Sequence, residues 1–348
     1  MSKKVVLVTG GSGYIAGHVC KLLATTGLYN VRTTVRTKSP EKTAHLEKLG
    51  VEIFEHVDLL DSQSWNNATQ GCDYVHHCAS PFFFTTPNND PQAGFVTPAL
   101  EGTRNVIQAA INAKVQRVIL TSSCAAITWA NVLNHPKGST HVWNEDDWQH
   151  DNTLQNGPYR LSKSVAEQEA WKLVTKNKQE PLELVTMCPS FVLGPVLSPR
   201  SDAASIVFQK NMFNGVTKKM TANSFGVVDV RDVAQAHVTA MTVDLNEPGL
   251  KNAQGQARFI LSSPNSYPHI EIANTIRNAK DGLFGKKYPI PFESEGVPLQ
   301  NVVYDNERSK HYLGMDFIGL EKSLVDGVES LEEFNILSSE PTTHHRSS

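Results

Sequence analysis

An α/β fold built on a doubly wound parallel sheet, with a smaller C-terminal lobe, is what this sequence predicts, and three observations predict it. The first is the stretch Val5 to Gly17, VVLVTGGSGYIAG, where a β-branched run meets glycines and then helical spacing from Tyr14 to Leu23. The second is the alternation of short apolar runs and amphipathic segments that continues to about Met187. Such alternation makes a parallel sheet with right-handed crossovers. The third is length, because 348 residues suit two closely joined lobes with ample core. The expected arrangement is a Rossmann-type nucleotide-binding domain over residues 1–188 with 226–262. A substrate-binding domain over 189–225 with 263–336 and a disordered tail over 337–348 complete it.

Val5 to Val8 is the first strand, and Gly10, Gly11 and Gly13 make the turn into the first helix. A pyrophosphate must approach backbone N–H groups at the positive end of that helix, and a Cβ would hold it away. The spacing fits Gly10-x-x-Gly13-x-x-Ala16 and also Gly11-x-Gly13-x-x-Ala16, with alanine at the last position. A dinucleotide contacting Gly10, Gly13, Tyr14 and Ile15 is therefore expected. Asn30 to Val35 is the second strand, and its end decides the cofactor. A carboxylate there would bind a ribose 2′-hydroxyl, whereas this chain has Arg36, then Thr37 and Lys38, which suit a 2′-phosphate. NADPH is the expected cofactor.

Pro40 to Leu49 reads as a helix and Val51 to His56 as a strand, after which Asp58 and Leu59 fall where an adenine ring would lie. Trp65 to Gln70 is a short helix. Tyr74 to Cys78 is the fourth strand, and it ends in Ala79 and Ser80, followed by Phe82, Phe83 and Phe84, at the strand end where ligands bind in open α/β sheets. A long helix is expected from about Pro91 to Ala113, and a fifth strand from Gln116 to Thr121. Between Thr128 and Asn156 comes an irregular insert of the kind that is usually functional. Tyr159 to Lys176 is a strong helix and Leu182 to Met187 a sixth strand. From Pro189 the alternation stops, with a helix near Ala203 to Phe213, a strand near Gly226 to Val228 and a helix from Asp229 to Met241 capped by Asp229.

Net charge is −3, and neither a basic stripe nor a long apolar run is present, which points away from nucleic acid and membrane. MSKK passes straight into the first strand, leaving no room for a signal peptide, so a cytoplasmic protein is expected. Five cysteines without a CxxC pair read as reduced thiols. His76 and His77 would face opposite sides of their strand and could not chelate one ion together, so no metal is expected.

The chemistry gathers at Ser123, after the fifth strand, and at Tyr159 and Lys163, which share a helical face at i and i+4. A free tyrosine titrates near 10, and bringing it to about 7 takes roughly 4 kcal/mol of selective phenolate stabilisation. A buried lysine and a cationic nicotinamide could supply it together. Serine then holds a carbonyl oxygen while tyrosine delivers the proton. The substrate pocket is expected between Phe83, Phe84, Thr128, Tyr159 and the Phe191 to Leu197 segment, which includes Val192.

The motifs VTGGSGYIAGH, TTVRT, HHCASPF, PALEGTRNVIQAA, RVILTSSCAAI, YRLSKSVAEQEAW, CPSFVLGP and VVDVRDVAQAH span nearly the whole chain. Together they resemble the extended short-chain dehydrogenase/reductases, in particular the dihydroflavonol 4-reductase-like group with its yeast-type methylglyoxal or carbonyl reductases. The resemblance implies NADPH, reduction of a ketone or aldehyde, a triad at Ser123, Tyr159 and Lys163, and cofactor contacts at Gly10, Gly13, Arg36, Asp58, Ala79, Pro189 and Ser190. Two departures bear on substrate. Thr128 stands where flavonoid reductases commonly have Asn, and NGPYRLSK stands where cinnamoyl-CoA reductases have NWYCYGK. A generalist carbonyl reductase with a small-molecule substrate, monomeric or homodimeric, is the resulting expectation. A nucleotide-sugar epimerase or dehydratase and a non-catalytic NADP sensor are the alternatives. Cys124-Ala125 after the serine and Arg36 on the second strand argue against the sugar enzymes, and the intact Tyr159 and Lys163 against the sensor.

Overall fold

The computed structural model describes residues 2–80, 90–132, 135–178, 181–200, 202–296 and 302–337. Phe83, Phe84 and the tail beyond residue 337 lie outside the described residues. The chain runs through β1 (Lys4–Val8), α1 (Tyr14–Thr26), β2 (Tyr29–Thr34), α2 (Pro40–Lys48), β3 (Glu52–Phe54), α3 (Trp65–Thr69) and β4 (Tyr74–His77). It continues with α4 (Thr97–Asn112), β5 (Arg117–Thr121), β6 (Val142–Trp143), α5 (Pro158–Lys176), β7 (Glu183–Pro189), β8 (Phe191–Leu193), α6 (Ala204–Phe213) and β9 (Met220–Thr221). Then come β10 (Ser224–Asp229), α7 (Val230–Thr239), β11 (Ala257–Leu261), β12 (Ser266–Pro268), α8 (His269–Lys287), β13 (Ser294–Glu295), β14 (Val303–Tyr304), α9 (Glu307–Leu313) and α10 (Leu320–Glu333).

Seven parallel strands form the main sheet in the order β11-β7-β5-β4-β1-β2-β3. Helices cover both faces, so the β1 side chains Val6, Leu7 and Val8 are fully buried. Truncating Leu7 to alanine would cost ~2–5 kcal/mol, the range for an aliphatic core side chain. One face packs Val19 and Leu23 of α1 against Val233 and Ala236 of α7; the other packs Trp65 of α3 and Val106 and Ile107 of α4. A second core joins α6, α8 and α10 to the small sheet β12-β10-β8. β10, expected within the larger lobe, pairs with β8 in this small sheet, and its successive residues Val227 and Val228 serve different cores. Leu313 of α9 packs with the first core.

The two cores meet at Asp229, whose carboxylate is fully buried. It caps α7 by accepting from the Arg231 N–H at 2.8 Å, pairs with the Arg231 guanidinium through both oxygens at 2.8 Å, and accepts from Ser323 of α10 at 2.7 Å. Gly194, at φ +117°, lies so close that a Cβ would stand 2.9 Å from that carboxylate. Arg231 also reaches Asp326 of α10 at 2.5 Å.

The single long helix expected from Pro91 to Ala113 is corrected by the structure. Residues Gln92–Val96 form a wider π turn, closed by Thr97 N–H donating to the Gln92 carbonyl, before α4 begins. Pro98 has no N–H to donate and its ring crowds the carbonyl four residues back, so the turn ahead of it opens. Among the described residues no helix is long and apolar enough to cross a membrane.

Candidate active site

Strand order reverses beside β1, with β2 and β3 on one flank and β4, β5, β7 and β11 on the other. Ligands bind outside the carboxyl ends of strands at such a point. A cleft of about 1320 Å³ opens there. Every described residue expected at the site lines it: Gly10, Gly13, Tyr14, Ile15, Arg36, Asp58, Leu59, Ala79, Ser80, Ser123, Thr128, Tyr159, Lys163, Pro189, Ser190, Phe191 and Val192.

The nucleotide end is a backbone cradle. Gly10 takes φ +70°, and a Cβ there would lie 3.0 Å from the Ala79 Cβ. Gly13 is the N-cap of α1 with no side-chain cap, and a Cβ would press to 3.0 Å on the Gly10 carbonyl oxygen. The first-turn N–H groups of α1 therefore face a space closed to side chains and open to an anion. Arg36 is exposed at the rim, with no ion pair among the described residues. Arg32, by contrast, is committed to Glu52 at 2.9 Å and the Gln70 carbonyl at 2.8 Å. Asp58 accepts from the Leu60 N–H at 2.8 Å, and the Ala79 N–H donates to Thr9 Oγ1 at 2.9 Å. Ser190 Oγ is buried without a partner among the described residues, although the Ser190 N–H is satisfied by the Leu261 carbonyl at 2.9 Å. A cradle that excludes Cβ atoms, an unpaired guanidinium and an orphaned hydroxyl fit a phosphorylated dinucleotide.

At the centre, Ser123 leaves β5 in extended conformation and accepts from the Ala125 N–H at 3.1 Å. Its hydroxyl is hydrogen-bonded to Tyr159, which lowers the tyrosine pKa, yet burial dominates and pushes it up to about 12. Lys163 lies 5.7 Å from the Tyr159 ring centroid and donates to Ser80 Oγ at 3.1 Å, and burial lowers it to about 8. Burial thus outweighs the lowering contributions of Ser123 and Arg160 at the phenol.

The neighbouring Ser122 points the other way and donates to Glu167 at 2.6 Å. Glu167 stands one turn beyond Lys163, accepts from Thr186 at 2.9 Å and pairs with the fully buried Arg258 of β11 at 2.8 Å. The Arg258 guanidinium lies 3.8 Å from the Trp148 ring centroid and donates to the carbonyls of Glu145 (2.6 Å) and Asp147 (2.9 Å). The insert is thereby fastened to the strand and helix that carry the triad. The sequence signal was available: Lys163 and Glu167 are a charged i, i+4 pair among small residues.

The substrate end is aromatic. Phe191 stacks on Phe225 at 4.2 Å, with Phe208 edge-on. Thr128 is buried and donates to the Cys124 carbonyl at 3.2 Å, while Arg160 and Tyr304 also bond to it. Arg160, Phe225 and Tyr304 line the cleft and were not anticipated from the sequence. In the insert, His135, His141 and Asp147 bring their ligand atoms within 4.8 Å of one another, a grouping also not anticipated; a 2.7 Å hydrogen bond joins His141 to Asp147. His76 and His77 do face apart, toward His237 at 3.3 Å and Thr9 at 3.0 Å.

This geometry has relatives. Cinnamoyl-CoA reductase CAD2 of Medicago truncatula is 35% identical over 343 residues, covering 94% of this chain and 96% of that protein. An anthocyanidin reductase of Vitis vinifera is 35% identical over 258 residues, covering 68% and 72%. Among solved structures, the yeast methylglyoxal/isovaleraldehyde reductase Gre2 complexed with NADPH superposes with a TM-score of 0.77 at 25% identity, covering 95% of this chain and 99% of its own. Gre2 of Candida albicans in complex with NADPH gives 0.76 at 28%, with the same coverage. A UDP-glucose 4-epimerase from Thermotoga maritima, at 20% identity and 0.73, shares the fold. Residues 7–283 match the model of the 3-beta hydroxysteroid dehydrogenase/isomerase family, and the chain belongs to that family.

Proposed function

We propose that this chain is an NADPH-dependent reductase that converts ketones and aldehydes to alcohols, with broad specificity for small carbonyl compounds. The observation that carries the reading is the placement of Ser123, Tyr159 and Lys163 around the deep end of a cleft whose other end fits a phosphorylated dinucleotide. The names of its relatives, reductases acting on cinnamoyl-CoA and anthocyanidin, and of the NADPH-bound aldehyde reductases support it.

The nucleotide would be held by the first-turn N–H groups of α1, by Arg36 at its 2′-phosphate and by Asp58 at its adenine. When bound, it supplies the hydride. Ser123 Oγ donates a hydrogen bond to the substrate carbonyl oxygen, and Tyr159 Oη gives that oxygen its proton as negative charge develops there. Lys163 holds Ser80 and stabilises the phenolate left behind. The aromatic wall of Phe191 and Phe225 excludes water from the reacting carbon. A cytoplasmic monomer or homodimer completes the reading, and the unpaired thiols of Cys20, Cys72, Cys78, Cys124 and Cys188 support that compartment.

The test is NADPH consumption over α-dicarbonyls, β-keto esters, aryl ketones, aldehydes, a cinnamoyl thioester and a dihydroflavonol. Turnover in several of the first four classes is expected. Activity confined to the thioester or the dihydroflavonol would overturn the broad specificity, and NADPH binding without turnover of any compound would overturn the enzyme.

A further inference from the structure

Arg160 follows Tyr159 directly and has no part in the reduction just described, yet it lines the substrate end of the cleft. Its Nη1 donates to the Thr128 carbonyl at 3.2 Å and to the Thr128 hydroxyl. Among the described residues no carboxylate pairs with it, because the acids nearby are engaged elsewhere. Asp151 accepts from the Ala130 and Asn131 N–H groups at 2.7 and 3.0 Å, and Glu167 is held by Arg258. Glu145 accepts from the Ile260 N–H at 3.0 Å and faces Arg308 at 3.5 Å.

A guanidinium carries five N–H donors in a planar fork, and Thr128 takes bonds from one nitrogen. The remaining edge matches a carboxylate, which can accept two parallel bonds. Arg160 is half-buried and lines the cleft, so an anion bound there is screened less by water than one on the open surface. The position is informative too: Arg160 follows Tyr159 on α5, and both line the same cleft beside Thr128.

We propose that Arg160 is the carboxylate-binding residue of the substrate site and that the preferred substrates are oxo acids with an apolar or aryl body against Phe191 and Phe225. This rests on the reductase reading. The hydride of NADPH adds to the ketone carbon, the C=O π pair moves to oxygen, and that oxygen takes the Tyr159 proton. The products are a hydroxy acid and NADP+, with the carboxylate unchanged.

The experiment compares 4-oxo-4-phenylbutanoate with its methyl ester, whose ketones are insulated from the carboxyl group by two methylenes and so have the same intrinsic reactivity. Wild-type kcat/KM is expected to favour the acid by at least tenfold, or ~1.4 kcal/mol. In Arg160→Gln the acid-to-ester ratio should fall to about one, and Arg160→Lys, which keeps the charge but loses the fork, should retain part of it. Equal use of acid and ester by the wild type overturns the proposal. So does an unchanged ratio in Arg160→Gln, because a residue that only braces Thr128 would depress both substrates together. Turnover of neutral ketones without acid preference refutes this inference alone, whereas NADPH binding with no turnover of any carbonyl removes the reductase reading and the inference with it.

Discussion

The two ends of the cleft are built on different principles. At the nucleotide end the centre is a backbone cradle made by residues a few positions apart, Gly10, Gly13 and Tyr14 on one turn, with Arg36 and Asp58 at its rim. At the substrate end Thr128, Arg160, Phe225 and Tyr304 converge from four separate segments, two of them beyond the main sheet. Phosphate recognition needs only a helix terminus and room, so one local motif delivers it. Substrate recognition needs side chains facing one another, and any loop can supply them. Changes at the first end should therefore alter how much nucleotide is held, and changes at the second which carbonyl is preferred; of the triad between them, Tyr159 should affect rate alone, whereas Lys163 also touches the nucleotide end through Ser80.

The sharpest test of that division is Tyr159→Phe. The ring and its edge contact with Phe95 persist, so NADPH should bind normally, while single-turnover hydride transfer falls by about 100- to 10,000-fold. Near-normal transfer would break the assignment of the proton donor. Lys163→Met should lower the transfer rate and weaken NADPH as well, since its ammonium holds Ser80 in the nucleotide cleft.

A second test concerns two histidines buried behind the cleft-lining residues. His77, bonded to Thr9, and His237, bonded to Thr121 at 3.1 Å, are both buried neutral with pKa values lowered to about 3 by desolvation. The unfolded chain binds protons at these rings below about pH 6.5 and the folded chain does not. Stability is therefore complete above that pH and declines as pH falls toward 3, by about 1.4 kcal/mol per pH unit for each ring. Denaturant unfolding at pH 7, 6 and 5 should show the loss, and His237→Gln should make it shallower while leaving the His77 share.

Arg36→Asp comes next. It removes the guanidinium and sets a carboxylate against the 2′-phosphate, so the NADPH-to-NADH preference should drop at least tenfold, ~1.4 kcal/mol, with the carbonyl ranking unchanged. A simultaneous change in substrate ranking would show that the two ends are coupled. The smallest effect is expected from Phe191→Leu. It loses the stacking on Phe225, worth about 0.5–1.5 kcal/mol, and should shift relative kcat/KM between aryl and alkyl ketones a few-fold without altering the Kd for NADPH.

The same division explains what the sequence could reveal. The glycine turn, Arg36 and the Tyr159–Lys163 pair are short-range patterns set by helix and strand periods, and all were legible. Tyr304 and Arg160 were not, because nothing in their neighbourhoods reports a partner some 170 residues away at Thr128 or a helix face turned to a cleft. The π turn at Gln92–Val96 escaped because five widened residues barely disturb a 3.6 period, although Pro98 marked the spot.

The buried carboxylate of Asp229 has a thermodynamic consequence. Its ligands come from α7, which packs on the main sheet, and from Ser323 of α10, which belongs to the second core, and Arg231 also reaches Asp326 of α10, so melting of either core breaks polar contacts of a buried carboxylate cluster common to both. Heating should accordingly give one calorimetric peak whose van't Hoff and calorimetric enthalpies agree. A ligand that binds at either end of the cleft would then raise the melting temperature of the whole molecule.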